Sequence, residues 1–166
     1  MILPFNIEHQ TQSNWCWAAT SKSISKFYAS LSSWTQCKVA SSELSLTCCT
    51  SPVPGACNIP WYLDRALTRT NNFVSYAVPI SWQRVLQELQ KGLVVGARVG
   101  WNGGGGHFMV IHGATTNGVV EYLHIDDPIY GKSVLPYNQF LSNYQASGKW
   151  THTYFTKNYS YYIRVS

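Results

Sequence analysis

With 166 residues the chain has the length of one ordinary domain, enough to bury roughly two thirds of the surface its unfolded form would expose. Apolar residues make up 45% of it and charged ones 11%, with 11 Tyr, 7 Trp and 6 Phe, which excludes a disordered or coiled-coil chain. The net charge of +5 comes from Lys and Arg placed singly between Lys22 and Arg164, without the basic stripe of a nucleic-acid binder, so nucleic acid is not an expected partner.

No stretch approaches the roughly 18 continuous apolar residues of a membrane span. The opening Met1-Ile-Leu-Pro-Phe-Asn6 lacks the charged and apolar regions of a secretory signal. Export, if it occurs, is expected by another route or after removal of a leader. Residues 13–31 read as a helix: Ser13 or Asn14 can cap it, and Trp17, Thr20, Ile24, Phe27, Tyr28 and Leu31 form one stripe at three-to-four spacing. Cys16 then lies in the first turn. A loop rich in Ser, Pro, Gly and Cys follows from Ser41 to Ala56. Helices are expected around Pro60 to Thr70 and Ser81 to Gln90, the second closed by Gly92. From about residue 93 the period changes. Leu93 to Val99, His107 to Ala114, Val119 to Ile125 and Tyr159 to Val165 are short, rich in Val, Ile, Tyr and Phe, and separated by Gly/Asn turns, as antiparallel strands are. With no repeat or linker, residues 1–166 are read as one α+β domain. A helical lobe over about 1–92 packs on a sheet lobe over about 93–166, with a cleft between them.

Acyl transfer by sulfur needs a thiolate, and a helix N-terminus favours an anion by roughly 0.3–1 kcal/mol, with a neighbouring imidazolium adding more. Cys16 has the first of these and is the candidate nucleophile; the bland alternative is a small buried residue. Gln10, six residues upstream, can bring an amide to the helix start as an oxyanion donor, with Gln12 a weaker competitor. Of the five histidines only His107 follows a glycine run, Gly103 to Gly106, after Trp101. Bare backbone there lets a peptide lie along the loop as an added strand, so Trp17, Trp101, Gly105 and Gly106 are candidate substrate contacts. His9, His112, His124 and His152 are read as structural. A third residue must orient the imidazole, and Asp126 and Asp127 end the next strand. Alternation puts Leu123, Ile125 and Asp127 on one apolar face, favouring Asp127 and sending Asp126 to solvent, unless a bulge before Pro128 exchanges them.

Gln10-x5-Cys16-Trp17-Ala18-Ala19, then Gly105-Gly106-His107-Phe108, then Asp127-Pro128, in this order and spacing, resemble papain-like cysteine peptidases. The likeness is greatest to the small bacterial branch holding the plant-pathogen type III effector protease and the bacteriocin leader-processing peptidases. It extends through Thr35-Gln36-Cys37, Cys48-Cys49, Cys57-Asn58, Leu63 to Leu67, the Gly92 to Gly100 strand and Trp150 to Tyr154. The resemblance implies a papain-like fold, endopeptidase action on a protein or peptide without a cofactor, and the roles above for Cys16, His107, Asp127 and Gln10. Kinship further implies a protein that is secreted or translocated as an effector or toxin and cleavage beside small residues such as glycine; a monomer is expected, with a cognate immunity or inhibitor protein as a candidate partner. Plant papain departs from this pattern with asparagine as its third residue and a longer chain.

Cys37, Cys48, Cys49 and Cys57 leave Cys16 as the odd thiol. Adjacent Cys48 and Cys49 point apart and suit disulfides, Cys49 with Cys57 and Cys37 with Cys48, better than a four-thiolate zinc site. Three rivals to proteolysis share these features: a binding or immunity module without chemistry, a transglutaminase-like acyltransferase on the same triad, and a peptidoglycan amidase.

Overall fold

The computed structural model describes residues 1–159, so the strand expected over 159–165 lies, apart from Tyr159, outside the described residues. Helices α1 (Cys16–Tyr28), α2 (Gln36–Leu44) and α3 (Leu63–Arg69) precede strand β1 (Phe73–Ala77) and helix α4 (Trp82–Gln90). Strands β2 (Val95–Trp101), β3 (Gly106–Thr116), β4 (Glu121–Asp127) and β5 (Gly131–Pro136) follow, then helix α5 (Tyr137–Ser142) and strand β6 (Gly148–Thr156). The six strands form one antiparallel sheet in the order β1-β6-β2-β3-β4-β5. This is the expected α+β class.

The covering of the sheet follows from β3, where every residue from His107 to Ala114 is buried. A strand buried on both faces must have a layer on each. Phe108 and Val110 pack into one core with Trp17, Ile24, Val39, Leu63 and Leu67 of α1, α2 and α3. Met109 and Ile111 point the other way, into a second core with Val85 and Leu89 of α4 and Phe140 of α5. The simple picture of a helical half followed by a sheet half is therefore corrected in detail: α4 lies on the sheet face opposite α1–α3, and β1 joins the sheet beside β6. Strands β1, β5 and β6 and helices α2 and α5 were not expected from the pattern.

Local chemistry sets the element ends. Ser81 Oγ accepts the Arg84 N–H at 3.1 Å to cap α4, and Gly92 (φ +81°) turns the chain after it. Thr35 Oγ1 caps α2 through the Lys38 N–H at 3.2 Å, so a helix occupies the start of the expected loop. Helix α1 ends at Tyr28, which leaves Leu31, the last residue of the predicted stripe, 95% exposed. Neither Ser13 nor Asn14 caps α1; Trp15 holds that position without a side-chain hydrogen bond.

The disulfides are Cys37–Cys49 and Cys48–Cys57, with Cα–Cα separations of 5.0 and 5.8 Å. The pairing expected from the sequence is corrected, and the zinc alternative falls with it. Cys48 and Cys49 do point apart, but Cys48 turns inward to meet Cys57 in the helical core while Cys49 faces outward to α2. The Cys48–Cys57 bond anchors a short segment that grips the start of α1. Trp15 Nε1 donates to the Cys57 carbonyl at 2.7 Å and Trp17 Nε1 to that of Ile59 at 3.0 Å. Asn58 Oδ1 accepts the Asn14 N–H at 2.9 Å, and Asn58 Nδ2 donates to Ser13 Oγ at 2.9 Å.

Cys48→Ser is expected to lower stability by about 2–4 kcal/mol and to leave Cys57 as the new thiol. Alkylation of the unfolded, unreduced variant should then label Cys16 and Cys57; labelling of Cys37 in place of Cys57 would contradict the pairing.

Candidate active site

Cys16 is the first residue of α1 and the free cysteine of the described chain, 9% exposed. Because no side chain caps α1, the N–H groups of its first turn keep their partial positive charge beside the sulfur. The hydrogen bonds from residues 13–17 to Cys57, Asn58 and Ile59 fix where that turn points.

The histidine arrives from the sheet. His107 pairs with Val99 across β2 and β3, just after the turn whose left-handed Gly104 and Gly105 (φ +100° and +82°) only glycine adopts without strain. On the other side Val110 pairs with Asp126, so Asp127 lies opposite Met109 and diagonal to His107 on the same face. His107 Nε2 meets Asp127 Oδ1 at 2.7 Å, which leaves Nδ1 to serve the nearby Cys16 sulfur, whose presence helps to raise the histidine's pKa. The bulge that could have exchanged the two aspartates falls instead in β3, between Ile111 and Gly113, so the alternation through Leu123, Ile125 and Asp127 is unbroken. Asp126 is on the opposite face but not in solvent, a correction to expectation. It is 3% exposed, and its Oδ2 accepts the Ile7 N–H at 2.8 Å and lies 3.9 Å from Lys132 Nζ, tying down the N-terminal segment.

Asp127 is 1% exposed, yet both of its carboxylate oxygens have donors. Oδ1 accepts from His107 Nε2 and from the Ile129 and Tyr130 N–H groups at 2.7 and 3.0 Å, and Oδ2 accepts from Tyr144 Oη at 2.7 Å. Burial alone would raise its pKa; the histidine and the two backbone donors outweigh that and hold it below the usual carboxylate range. Burial alone would likewise lower the pKa of His107, but the Asp127 carboxylate and the Cys16 sulfur push it up to about 9. The imidazole is therefore an imidazolium at neutral pH. Trp101 stacks on it with ring centroids 5.9 Å apart, a π face that suits a cation, and Tyr130 meets it edge-on at 6.3 Å.

Cys16 and His107 open onto a cleft of about 800 Å³, walled also by Trp17, Trp61, Arg98, Trp101 and Gly106. Trp17 is fully buried although it lines the cleft, and its neighbour Trp15 is buried in the helical core. Gly105 stands just outside the cleft wall, its carbonyl accepting the Trp101 N–H at 3.0 Å. His152, read as structural, lines the cleft. Gln10 is 7% exposed and does reach the start of α1, but both amide protons are engaged, by the Gln12 carbonyl at 3.0 Å and that of Ser13 at 2.8 Å. Its backbone N–H donates to Pro128 at 3.0 Å, joining the segment before Cys16 to the one after Asp127.

Sequence reasoning missed Tyr144, Tyr130 and Arg98. Tyr144 is fully buried behind Asp127, and its ring stacks on Trp101 at 6.4 Å. Nothing in its neighbourhood, Asn143-Tyr144-Gln145, signals this, since the contact depends on β6 folding back beside β2.

A solved structure described as "Crystal structure of a double glycine motif protease from AMS/PCAT transporter in complex with the leader peptide" is similar over 93% of this chain and 93% of that one, with 16% identity and a TM-score of 0.51. At that identity the likeness bears on the fold, which is papain-like. No curated protein matches the chain. Residues 1–145, a span that holds Cys16, His107 and Asp127 and every helix from α1 to α5, match the family described as "Papain-like cysteine protease AvrRpt2", and the chain belongs to that family of cysteine peptidases.

Proposed function

We propose that this cysteine peptidase is an endopeptidase working through a Cys16-His107-Asp127 triad and a thioester intermediate, and that it is an exported effector or toxin acting on a protein of another cell. The observation that carries the triad is the buried His107 Nε2–Asp127 Oδ1 contact at 2.7 Å, with Cys16 and His107 lining one cleft. Cys16, as thiolate, attacks the scissile carbonyl carbon and forms the C–S bond. The developing oxyanion takes hydrogen bonds from the Cys16 backbone N–H and from the Gln10 amide, which must release the Gln12 or Ser13 carbonyl to supply one. His107 gives its Nδ1 proton to the leaving amine as the C–N bond breaks. The neutral imidazole then draws a proton from water, whose oxygen attacks the thioester and frees the acid and the thiolate. Asp127 keeps the imidazole on the tautomer with Nε2–H throughout.

The exported setting is supported by the two disulfides, a form of stapling that persists in oxidising compartments. The bound leader peptide of the structural neighbour supports an extended peptide as occupant of the cleft. Gly106 leaves its part of the cleft wall free of a side chain, which suits small residues beside the scissile bond.

Incubation of a cell lysate with wild type and with Cys16→Ala is expected to generate new chain ends only with the wild type; joined or modified chains instead of new ends would favour a transferase. A library in which bulky and small residues beside the cut are cleaved equally would remove the small-residue preference.

The raised His107 pKa also fixes the sign of two pH effects. The stability it contributes is fully present below the unfolded histidine value of about 6.5 and is lost as pH rises through about 9. The alkaline limb of kcat/KM is expected near that same value, because the leaving amine needs the imidazolium. Asp127→Asn should lower kcat about 10²- to 10⁴-fold and move the limb to lower pH. An unmoved limb would show that Asp127 does not act on His107.

A further inference from the structure

Arg98 has the features of a residue held ready for a partner. In β2 it pairs with Phe108 of β3 and with His152 of β6, so by alternation it sits on the sheet face opposite His107, where it lines the same cleft as Cys16. Its side chain runs over two paired glycines, Gly100 and Gly106. A Cβ built on Gly106 would stand 2.5, 2.6 and 2.6 Å from Nη2, Cζ and Nε, and one on Gly100 would stand 3.3 Å from Nη1. Near-equal distances to three atoms of the plane mean that the flat face of the guanidinium rests on Gly106, which leaves its N–H edge available. Thr151 Oγ1 accepts from Nη1 at 2.9 Å and holds the orientation. Gly106 is thus bare for a reason beyond room for a peptide backbone: any side chain there would displace Arg98.

Among the described residues no carboxylate lies within 4.0 Å of this guanidinium, whereas Arg69 is paired with Glu43, Arg84 with Glu88, and Arg65 packs over Trp61 and Tyr62. Asp64 lines the same cleft without reaching ion-pair distance. A half-buried, oriented and unpaired guanidinium has lost part of its hydration without regaining a counter-charge, and the group that best restores it is a carboxylate accepting two parallel N–H bonds. In a peptidase cleft the occupant is a peptide, so the carboxylate is that of a substrate Asp or Glu.

We propose that Arg98 is a specificity-determining residue that selects substrates carrying an acidic side chain close to the bond that is cut. This rests on the peptidase reading above and adds to it a substrate class. Because Arg98 is fixed before binding, little side-chain entropy is lost on contact, and the gain appears as discrimination between an acid and its amide.

The test is a set of peptides in which Glu or Gln is walked through each position flanking the scissile bond. At one position the wild type is expected to cut the Glu peptide with a kcat/KM about tenfold or more above its Gln twin. Arg98→Gln should bring that ratio close to one, and Arg98→Glu should invert it in favour of a Lys twin. In parallel, Cys16→Ala, which cannot cut, should bind the Glu peptide more tightly than the Gln peptide, a readout independent of catalysis and of whether the Arg98 variants fold. Equal cutting and equal binding of the acid and amide twins at every position would overturn the role of Arg98 while leaving Cys16-dependent cleavage in place. Absence of any Cys16-dependent cleavage would overturn the peptidase mechanism, and the Arg98 proposal with it.

Discussion

A carboxylate taken out of water persists as an anion only where hydrogen bonds replace its hydration, and Asp127 is the point from which the geometry of the site can be followed outward. Its four donors come from three different places: the start of β3 through His107, the turn after β4 through Ile129 and Tyr130, and the segment after α5 through Tyr144. Oδ1 shares three donors, whereas Oδ2 depends on Tyr144 alone, and an orphaned oxygen would cost about 1–3 kcal/mol. The satisfied carboxylate in turn holds His107 charged against the pull of burial. The contacts that the proposed mechanism uses are thereby also contacts that fix the local fold.

Opposite that sheet-borne pair stands a sulfur on a helix, and the distance between them is governed by elements far apart in sequence. The Cys48–Cys57 disulfide presents Cys57, Asn58 and Ile59 to residues 13–17, while Gln10 links the approach to α1 with the Pro128 carbonyl beside Asp127. The helix N-terminus thus needs no capping side chain to be fixed in place; the clamp does the fixing and leaves the positive end of the helix beside the sulfur. Trp101 stacks on both the His107 ring and the Tyr144 ring that backs Asp127, and so joins the two layers of support.

Cys16, His107 and Asp127 could be singled out without coordinates because each carries a local signal: a thiol at a helix start, a histidine after a glycine run, an acid in phase with Leu123 and Ile125. α4 was legible for a similar reason, having a capping serine, apolar Trp82, Val85 and Leu89 at helical spacing, and a closing glycine. The parts that were not legible depend on partners distant in the chain. Strand β1 exposes most of its side chains at a sheet edge, so its residues show no in-out alternation. Strand β6 carries polar Lys149, Thr151 and His152 among its aromatics, and a bulge opposite Arg98 and Val99 interrupts its period. The burial of Asp126 reflects the N-terminal segment lying against the sheet, where Ile7 donates to it, which alternation along β4 alone cannot reveal. The disulfide pairing turned on which of two adjacent cysteines faces the core, and two neighbours pointing apart give the same spacing either way. Arg98 escaped notice since a lone arginine in a strand has no signature until the glycines beneath it are known to be paired.

The account stands on His107 being an imidazolium clasped between Asp127 and Cys16 in the resting protein. Nitrogen NMR of the histidine ring across a pH titration reports on that state directly, through the protonation of both ring nitrogens. His107 is expected to lose its proton only near pH 9, to retain the hydrogen on Nε2 afterwards, and to titrate at lower pH in Cys16→Ala. A wild-type ring that is already neutral at pH 7, with the same midpoint whether or not the sulfur is present, would contradict the ion pair and the mechanism built on it.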